Sequence, residues 1–271
     1  MGASVRSRHT DARRYYEGFS LAVGLRDWLV PNARHEQLKL YIADLLHRRR
    51  NLRIADVGCG AGVMAAHLRR YGEVTGLDFS GPAIGAARKL VPDVVFISGS
   101  LDALPPGERF DVITLFDVLE HIPRDERSEF LVTLRKCLTD EGTLFMSTPF
   151  PAFTHHRRIN KDDTLQIIDE EVELPQLTAE AALAGLQLLK FEAYDVFSGS
   201  PEYQMMVFTT ERHPGGPPVL RSPRLDRRLR WATSTVGRRV RRLVHASRLA
   251  ARGDVRAARW VLTGDAPHVR S

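Results

Sequence analysis

Five short apolar runs punctuate residues 52–148 of the chain: "LRIADVG" (52–58), "EVTGLDF" (73–79), "DVVFISG" (93–99), "FDVITLF" (110–116) and "GTLFMST" (142–148). Each run is continuous instead of alternating with polar residues, the pattern of a strand covered on both faces. Helical spacing fills the gaps, in "AGVMAAHLRRY", "GPAIGAARKL", "RDERSEFLVTLRKCL" and "TAEAALAGL", with "HEQLKLYIADLLHRR" ahead of the first run. Parallel strands need such crossovers, because a tight turn cannot return the chain to the same end of a sheet. Two further runs, "KFEAYDVF" (190–197) and "YQMMVFT" (203–209), are separated only by "SGSPE", which predicts an antiparallel pair. The reading is an α/β fold: a doubly wound, seven-stranded, mostly parallel sheet ending in an antiparallel C-terminal hairpin. An N-terminal helical lid and a basic C-terminal helical tail flank it.

The runs are short enough to exclude a membrane span, since none approaches the roughly 20 apolar residues a bilayer requires. The first residues, "MGASVRSRHTDARRYY", lack the apolar core of a secretory signal. Arg6 breaks the myristoylation pattern. The two cysteines, Cys59 and Cys137, stand in unrelated contexts, which fits a reducing cytosol. The net charge of +6 is unevenly spread: residues 221–271 hold 14 arginines, no lysine and 3 aspartates, +11 in all, which leaves −5 for the rest. A basic character confined to a tail argues against a body that grips nucleic acid.

The first run ends in a glycine-rich stretch, "IADVGCGAG". In an open parallel sheet the loop after the first strand faces the crevice where ligands bind, and glycines let its backbone turn and approach them. The dinucleotide pattern G-x-G-x-x-G would need glycine at position 63, where the chain has Val63. That counts against a nicotinamide dehydrogenase. The spacing present is G-x-G-x-G, with Asp56 two residues before Gly58 and with Asp78 closing the second strand.

At these residues the chain resembles the class I S-adenosylmethionine-dependent methyltransferases. "DVGCGAG" is similar to that family's first motif and "GLDFS" to its second. The resemblance is strong over about residues 50–150 and architectural over 35–210, and it implies the family's Rossmann-like fold. It also implies S-adenosyl-L-methionine as cofactor. Gly58, Cys59, Gly60 and Gly62 would bring backbone against its amino-acid part and sulfur, and Asp56 would support its amino group. Asp78 would accept hydrogen bonds from both ribose hydroxyls, with Phe79 beside the adenine. Ser100 occupies the position where the family often has an acidic adenine contact; with the Leu101 backbone it would serve there, Asp102 being a nearby substitute. Phe116 and Asp117 would flank the methionine end.

A hydroxyl acceptor has to lose a proton, so a base near the fourth strand is expected. His121 is the leading candidate, because imidazole titrates near neutrality; capping of the next helix by Glu120 and His121 is the structural alternative. "DVLEH" also resembles the E-x-x-E-H segment of ubiquinone-pathway O-methyltransferases and of small-RNA 2′-O-methyltransferases, in which a later histidine completes a divalent metal site. By that resemblance Asp117, Glu120 and His121 would be ligands. Here, however, Gln166 stands in place of the later histidine, and Asp117 is shorter than Glu. No metal is therefore assigned.

Residues 147–177 carry too many polar and turn residues for a sheet strand and read as an acceptor-side insertion. Phe150, Phe153 and Leu165 are candidates for an apolar lining, and His155, His156 and Arg157 for reading an acidic or hydroxylated substrate. "DTLQIIDEEV" resembles a segment of bacterial methyltransferases in glycan and natural-product pathways. Tyr15, Tyr16, Phe19 and Trp28 are lid candidates, with core packing as the alternative. The domains are then residues 1–49, N-terminal helices; 50–212, the cofactor-binding domain; 213–223, a linker; and 224–271, the tail. In the tail Leu225, Leu229, Ala232, Val236, Val240 and Leu243 form one apolar helical face among arginines. Such a helix packs on the acidic body, docks on an anionic membrane or contacts nucleic acid.

The sequence therefore predicts a cytoplasmic enzyme, with the tail offering a contact at the inner membrane face. It would methylate a small molecule, most readily at a hydroxyl of a phenolic, sugar or lipid-linked metabolite. Metal-assisted RNA 2′-O-methylation is the alternative, and a cofactor-binding scaffold without turnover is the third reading. The −5 body disfavours a nucleic-acid partner.

Overall fold

A computed structural model describes residues 21–160 and 168–210. Tyr15, Tyr16, Phe19, Leu165, Gln166, the linker and the tail lie outside the described residues. In chain order the elements are α1 (21–29), α2 (Ala33–Leu45), β1 (Leu52–Val57), α3 (Val63–Leu68), β2 (Gly72–Asp78), α4 (Gly81–Leu90), β3 (Val95–Ser98), β4 (Phe110–Phe116), α5 (Arg127–Cys137), β5 (Leu138–Pro149), α6 (Pro151–Ile159), α7 (Leu174–Leu183), β6 (Leu186–Tyr194) and β7 (Tyr203–Thr210). Among the described residues no helix is long and apolar enough to cross a membrane.

The sheet has seven strands in the order β3-β2-β1-β4-β5-β7-β6. β1 to β5 run parallel, and β7 lies antiparallel between β5 and β6. This is the doubly wound sheet with a C-terminal hairpin that the apolar runs predict. Their lack of alternation has its cause in the two buried faces. Ile54, Val112 and Phe145 point into one core with Leu38, Ile42 and Leu68 of α2 and α3. Ala55, Ile113 and Leu115 point into the other with Leu131, Leu134 and Leu177 of α5 and α7. Each of these side chains is at most 2 % exposed, so truncating a large one to alanine costs about 2–5 kcal/mol.

Side-chain caps set two helix starts. Asn32 accepts from the Arg34 amide at 3.1 Å and begins α2. Ser80 accepts from the Ala83 amide at 3.3 Å and begins α4. α6 lies within the acceptor-side insertion, 147–177, where the sequence reading assigns no helix. Pro151 occupies its first turn, where the missing N–H breaks no helical bond, and Thr154 is its buried residue.

The chain leaves β1 toward one edge through β2 and β3, then returns to β1's other side at β4. The carboxyl ends of β1 and β4 therefore flank the position where the winding reverses, and a crevice opens there.

Candidate functional site

The crevice is a cavity of about 760 Å³. A larger depression of about 850 Å³ beside the starts of β2 and β3 holds none of the groups described below, so chemistry and not size identifies the site.

One wall is the turn from β1 into α3. Gly58, Gly60 and Gly62 have φ of 76°, 52° and 83°, the left-handed region that side chains disfavour. A Cβ at Gly58 would sit 2.2 Å from Val118 Cγ2, and one at Gly62 2.9 Å from the Phe96 ring. The turn is fastened to β2: the Gly58 and Cys59 amides donate to the Leu77 carbonyl at 2.7 and 3.1 Å. The Cys59 side chain points away into the core, with Sγ 3.0 Å from a Cβ built on Gly76. Burial pushes its thiol well above the ordinary cysteine range. Cys59 therefore offers the crevice its backbone and not a reactive sulfur.

Asp78 ends β2 at the rim. Its carboxylate accepts from the Gly60 amide at 2.9 Å and from the Ser80 amide at 2.8 Å. Two amides fix the group and leave further lone pairs for a ligand's hydroxyls, since a carboxylate offers about four acceptor positions. Burial raises its pKa, opposed by the Ser80 and Gly60 amides. Asp56 lies deeper, with the Thr114 hydroxyl donating to Oδ1 at 2.7 Å and no hydrogen-bond partner for Oδ2. Burial pushes Asp56 up to about 7, helped by Asp78 and opposed by Thr114 and by the Ala65 amide. A buried acceptor without a donor is costly, and the cationic amino group of a ligand would relieve it. Phe79, Ser100 and Leu101 line the same end. Phe79 is 38 % exposed at the mouth, whereas the Ser100 hydroxyl is engaged by the Asp102 carboxylate. Asp102 does not line the cavity.

The other end is built by the turn after β4 and by α2. Phe116 and Asp117 line it. Asp117 has φ of 54°, and its amide donates to the Ser147 carbonyl at 2.9 Å. Its Oδ2 lies 2.7 Å from Arg34 Nη1, a half-buried ion pair that the sequence reading missed. Arg34 also stacks over Tyr203, 5.2 Å from the ring centroid. Nearby Asp27 accepts from Asn32 Nδ2 at 3.2 Å.

Glu120 is buried, and burial next to Asp117 raises its pKa well above the ordinary range. His121 Nδ1 lies 2.6 Å from the Ile168 carbonyl. A carbonyl only accepts, so Nδ1 carries the proton and the neutral ring presents its lone pair at Nε2. Burial lowers the His121 pKa, opposed by the Ile168 carbonyl and by Asp169 and Asp117.

Several sequence-based candidates lie away from this cavity. His155 and His156 do not line this cavity. His155 is paired with Glu171 at 3.3 Å, and His156 Nε2 is 2.9 Å from Asn160 Nδ2. Successive helical residues point about 100° apart, and α6 turns Arg157 into the cavity instead. The alternative metal set Asp117, Glu120 and His121 does not converge: Asp117 is taken by Arg34, and among the described residues no three His, Cys, Asp or Glu side chains form a group that could hold a metal ion. Trp28 serves as an anchor. Its Nε1 donates to the Ala61 carbonyl at 2.8 Å and ties α1 to the glycine turn. Phe153 packs on Tyr203, with ring centroids 6.4 Å apart, and neither it nor Phe150 lines the cavity.

Comparison with known proteins bears on this arrangement. Residues 54–142 match a family model described as a methyltransferase domain. The chain is 30 % identical over 152 residues to the mitochondrial ubiquinone biosynthesis O-methyltransferase of Candida albicans, covering 52 % of this chain and 45 % of that protein. It is 37 % identical over 90 residues to the ubiquinone biosynthesis O-methyltransferase of Alkalilimnicola ehrlichii, covering 31 % and 36 %. The chain thus spans less than half the length of each of these relatives. Two solved structures share the fold. One is an S-adenosylmethionine-dependent methyltransferase from Mesorhizobium loti (TM-score 0.55, 16 % identity, 66 % of this chain and 98 % of that one). The other is the magnesium protoporphyrin IX methyltransferase of Synechocystis with bound SAH (TM-score 0.53, 18 % identity, 71 % and 86 %).

Proposed function

We propose that this chain, which carries a class I S-adenosylmethionine-dependent methyltransferase domain, methylates a hydroxyl oxygen of a small molecule. The observation that carries the hydroxyl is His121: it lines the cavity, and the Ile168 carbonyl 2.6 Å from Nδ1 holds the proton there, which leaves the ring's lone pair at Nε2.

The crevice fits the cofactor. Asp56 Oδ2 suits its ammonium, the left-handed glycines bring backbone close, and the fixed Asp78 carboxylate suits a diol. When bound, S-adenosylmethionine supplies a methyl group on a sulfonium, and the C–S electron pair returns to sulfur as the acceptor oxygen takes the methyl. The residues supply position, dryness and a proton sink. Ile122, Phe130, Phe197 and Tyr203 add apolar surface to the cavity lining, against which an acceptor ring would pack. His121 Nε2 accepts the hydroxyl proton, which general bases placed this way speed by about 10²–10⁴-fold. Alignment of an acceptor beside the glycine turn contributes more, on the order of 7–11 kcal/mol.

A cavity of about 760 Å³ is in the range of small-molecule sites. Asp27, Asp56, Asp78, Asp117, Glu120 and Asp169 outnumber Arg26, Arg34 and Arg157 along it, a lining that does not favour the phosphates of RNA. The O-methyltransferase names of the curated relatives support an oxygen acceptor.

Calorimetry with S-adenosylhomocysteine tests the reading. The wild type should bind it, and Asp78→Ala should weaken binding roughly 10- to 100-fold, the scale of hydrogen bonds to a charged group. Absence of binding by the wild type, or uptake of a nicotinamide dinucleotide instead, would reject it.

A further inference from the structure

We propose that the basic amphipathic segment 225–243 of this chain docks on its own body, in a groove between α7 and the edge strand β6. The proposal does not depend on the reaction.

β6 is the last strand of the sheet, so one of its edges has no strand beside it. Long bare edges invite pairing with other chains, and folds commonly cover them with a helix or loop. A groove of about 420 Å³ lies against β6 and shares no lining residue with the cofactor crevice. Phe150, Pro151, Leu174, Pro175 and Phe191 give it an apolar lining. Phe191 and, farther back on β6, Leu188 are each more than a third exposed, and Leu183 at the end of α7 is 85 % exposed. Apolar side chains gathered along one surface, unlike those scattered singly, mark a contact site.

Charge selects the occupant. Residues 169–195, which run from the segment ahead of α7 through α7 and β6, hold seven acids and one lysine, a net −6. Everything ahead of residue 221 carries −5, so the acidity of the body is concentrated in this stretch. Part of that charge is engaged elsewhere: Arg158 meets Glu171 at 2.7 Å, and Tyr41 donates to Glu192 at 2.7 Å. Glu171 and the exposed Glu173 line the groove, and no lysine or arginine does so among the described residues. Segment 225–243 lies outside the described residues, but its sequence is the complement. It holds seven arginines and one aspartate, a net +6, around the apolar stripe from Leu225 to Leu243. The stripe matches the apolar lining and the arginines match the carboxylates.

Reach and length agree with this pairing. β7 ends at Thr210, which is paired with Leu186 at the start of β6, so the chain leaves the sheet beside the strand to be covered. Residues 211–224 extend to at most roughly 46 Å, which exceeds the roughly 30 Å length of the nine-residue β6. Read as a helix, the 19 residues 225–243 are about 28 Å long, close to the strand they would cover. A helix of that length alone is marginal in water and gains most of its stability by packing its apolar face. The tether favours the chain's own groove over that of a second copy. A short flexible linker gives an effective concentration on the order of 1 mM, so a contact with a Kd of about 0.1 mM between separate pieces would protect the segment about tenfold.

Hydrogen exchange of the full chain, read by peptide mass spectrometry, tests the proposal. Amides of 225–243 should exchange about tenfold slower than in an unstructured chain. Phe191→Asp and Glu173→Lys alter only the groove, and each should remove that protection while β1 and β4 keep theirs. Should Phe191→Asp fail to fold, Glu173→Lys at an exposed position asks the same question. Unprotected amides in the wild type, or protection unchanged in both variants, would overturn docking in this groove. So would protection that vanishes on dilution, which would mean contact between copies, or that arises only with phosphatidylglycerol vesicles, which would mean a membrane surface. Val236→Asp breaks the stripe from the other side and should also abolish protection. A rise in S-adenosylhomocysteine affinity in that variant would place the segment in the cofactor crevice and would equally overturn the proposal.

Discussion

Arg34 Nη1 lies 2.7 Å from Asp117 Oδ2, and this contact joins α2 to the turn that closes β4. Both side chains keep under a fifth of their surface; burial raises the pKa of Asp117, while Asp117, with Tyr203 and Asp27, holds the Arg34 guanidinium above its ordinary range in spite of its burial. Each group offsets the other's burial. Removing one leaves the second buried and uncompensated, which costs about 3 kcal/mol, the low end for buried pairs because some exposure remains. Arg34→Met and Asp117→Asn should each destabilise by that amount, and the double variant by clearly less than their sum. Urea unfolding of the four proteins measures the cycle; strict additivity would mean that the pair does not couple.

Gly58 couples the cofactor turn to the same β4 turn by close approach. An alanine there meets two costs: φ of 76°, worth about 1–2 kcal/mol, and an overlap with Val118 Cγ2 at 2.2 Å, worth about 1–3. Gly107 has φ of 78° but no atom within 4 Å of its built Cβ, so it isolates the first cost. Gly58→Ala should lose about 3 kcal/mol and Gly107→Ala about 1, by chemical denaturation. Adding Val118→Ala to Gly58→Ala should recover part of the loss. Equal effects at the two glycines would show that the overlap relaxes freely.

The elements legible in the sequence were those whose burial leaves a local pattern. β1 to β5 stood out because two covered faces produce unbroken apolar runs, and Asp78 because a lone carboxylate closes one of them. Arg34 with Asp117, and His121 with Ile168, left no such trace: a contact across 83 or 47 positions imposes no periodicity on either segment. Adjacency misled at His155 and His156. Three neighbouring polar residues read as one recognition surface, yet on a helix they diverge, and only Arg157 of the three reaches the cavity. α6 itself was hidden because its polar residues outnumber its apolar ones, and its start depends on Pro151.

Asp56 gives the fold a pH dependence with a definite sign. Its pKa rises from the usual carboxylate range to about 7, so the folded protein holds a proton that the unfolded chain has already released. Stability tied to this group is present at about pH 4 and below, falls as pH rises, and is fully lost above about 7. Asp56→Asn keeps an acceptor for the Thr114 hydroxyl and cannot ionise. Between about pH 5 and pH 8 the wild type should lose on the order of 3 kcal/mol relative to that variant, since one pKa unit corresponds to about 1.4 kcal/mol. Parallel stability profiles for the two proteins would place the ionisation of Asp56 back in the ordinary range.

Cys59 and Cys137 are both free thiols, and their surroundings rank their reactivity. Cys59 is 8 % exposed, and burial, then Asp56 and Asp78, push its thiol well above the ordinary range. Cys137 ends α5 in a half-buried position, where burial raises its pKa and Arg109 opposes the rise. Only the thiolate is nucleophilic, so both should react slowly with iodoacetamide at about pH 8, Cys137 first. Cys59 is buried while the turn is folded, and its thiolate is strongly disfavoured there. Its labelling therefore requires the Gly58–Gly62 turn to open and should proceed at the rate of that opening. Peptide mass spectrometry over time should find Cys137 modified while Cys59 stays protected. S-adenosylhomocysteine should slow Cys59 labelling further and leave Cys137 unaffected, because a ligand that closes on the turn stabilises it against opening. Prompt modification of Cys59 would show its sulfur facing solvent, and the glycine turn would then lack the core contact that holds it against β2.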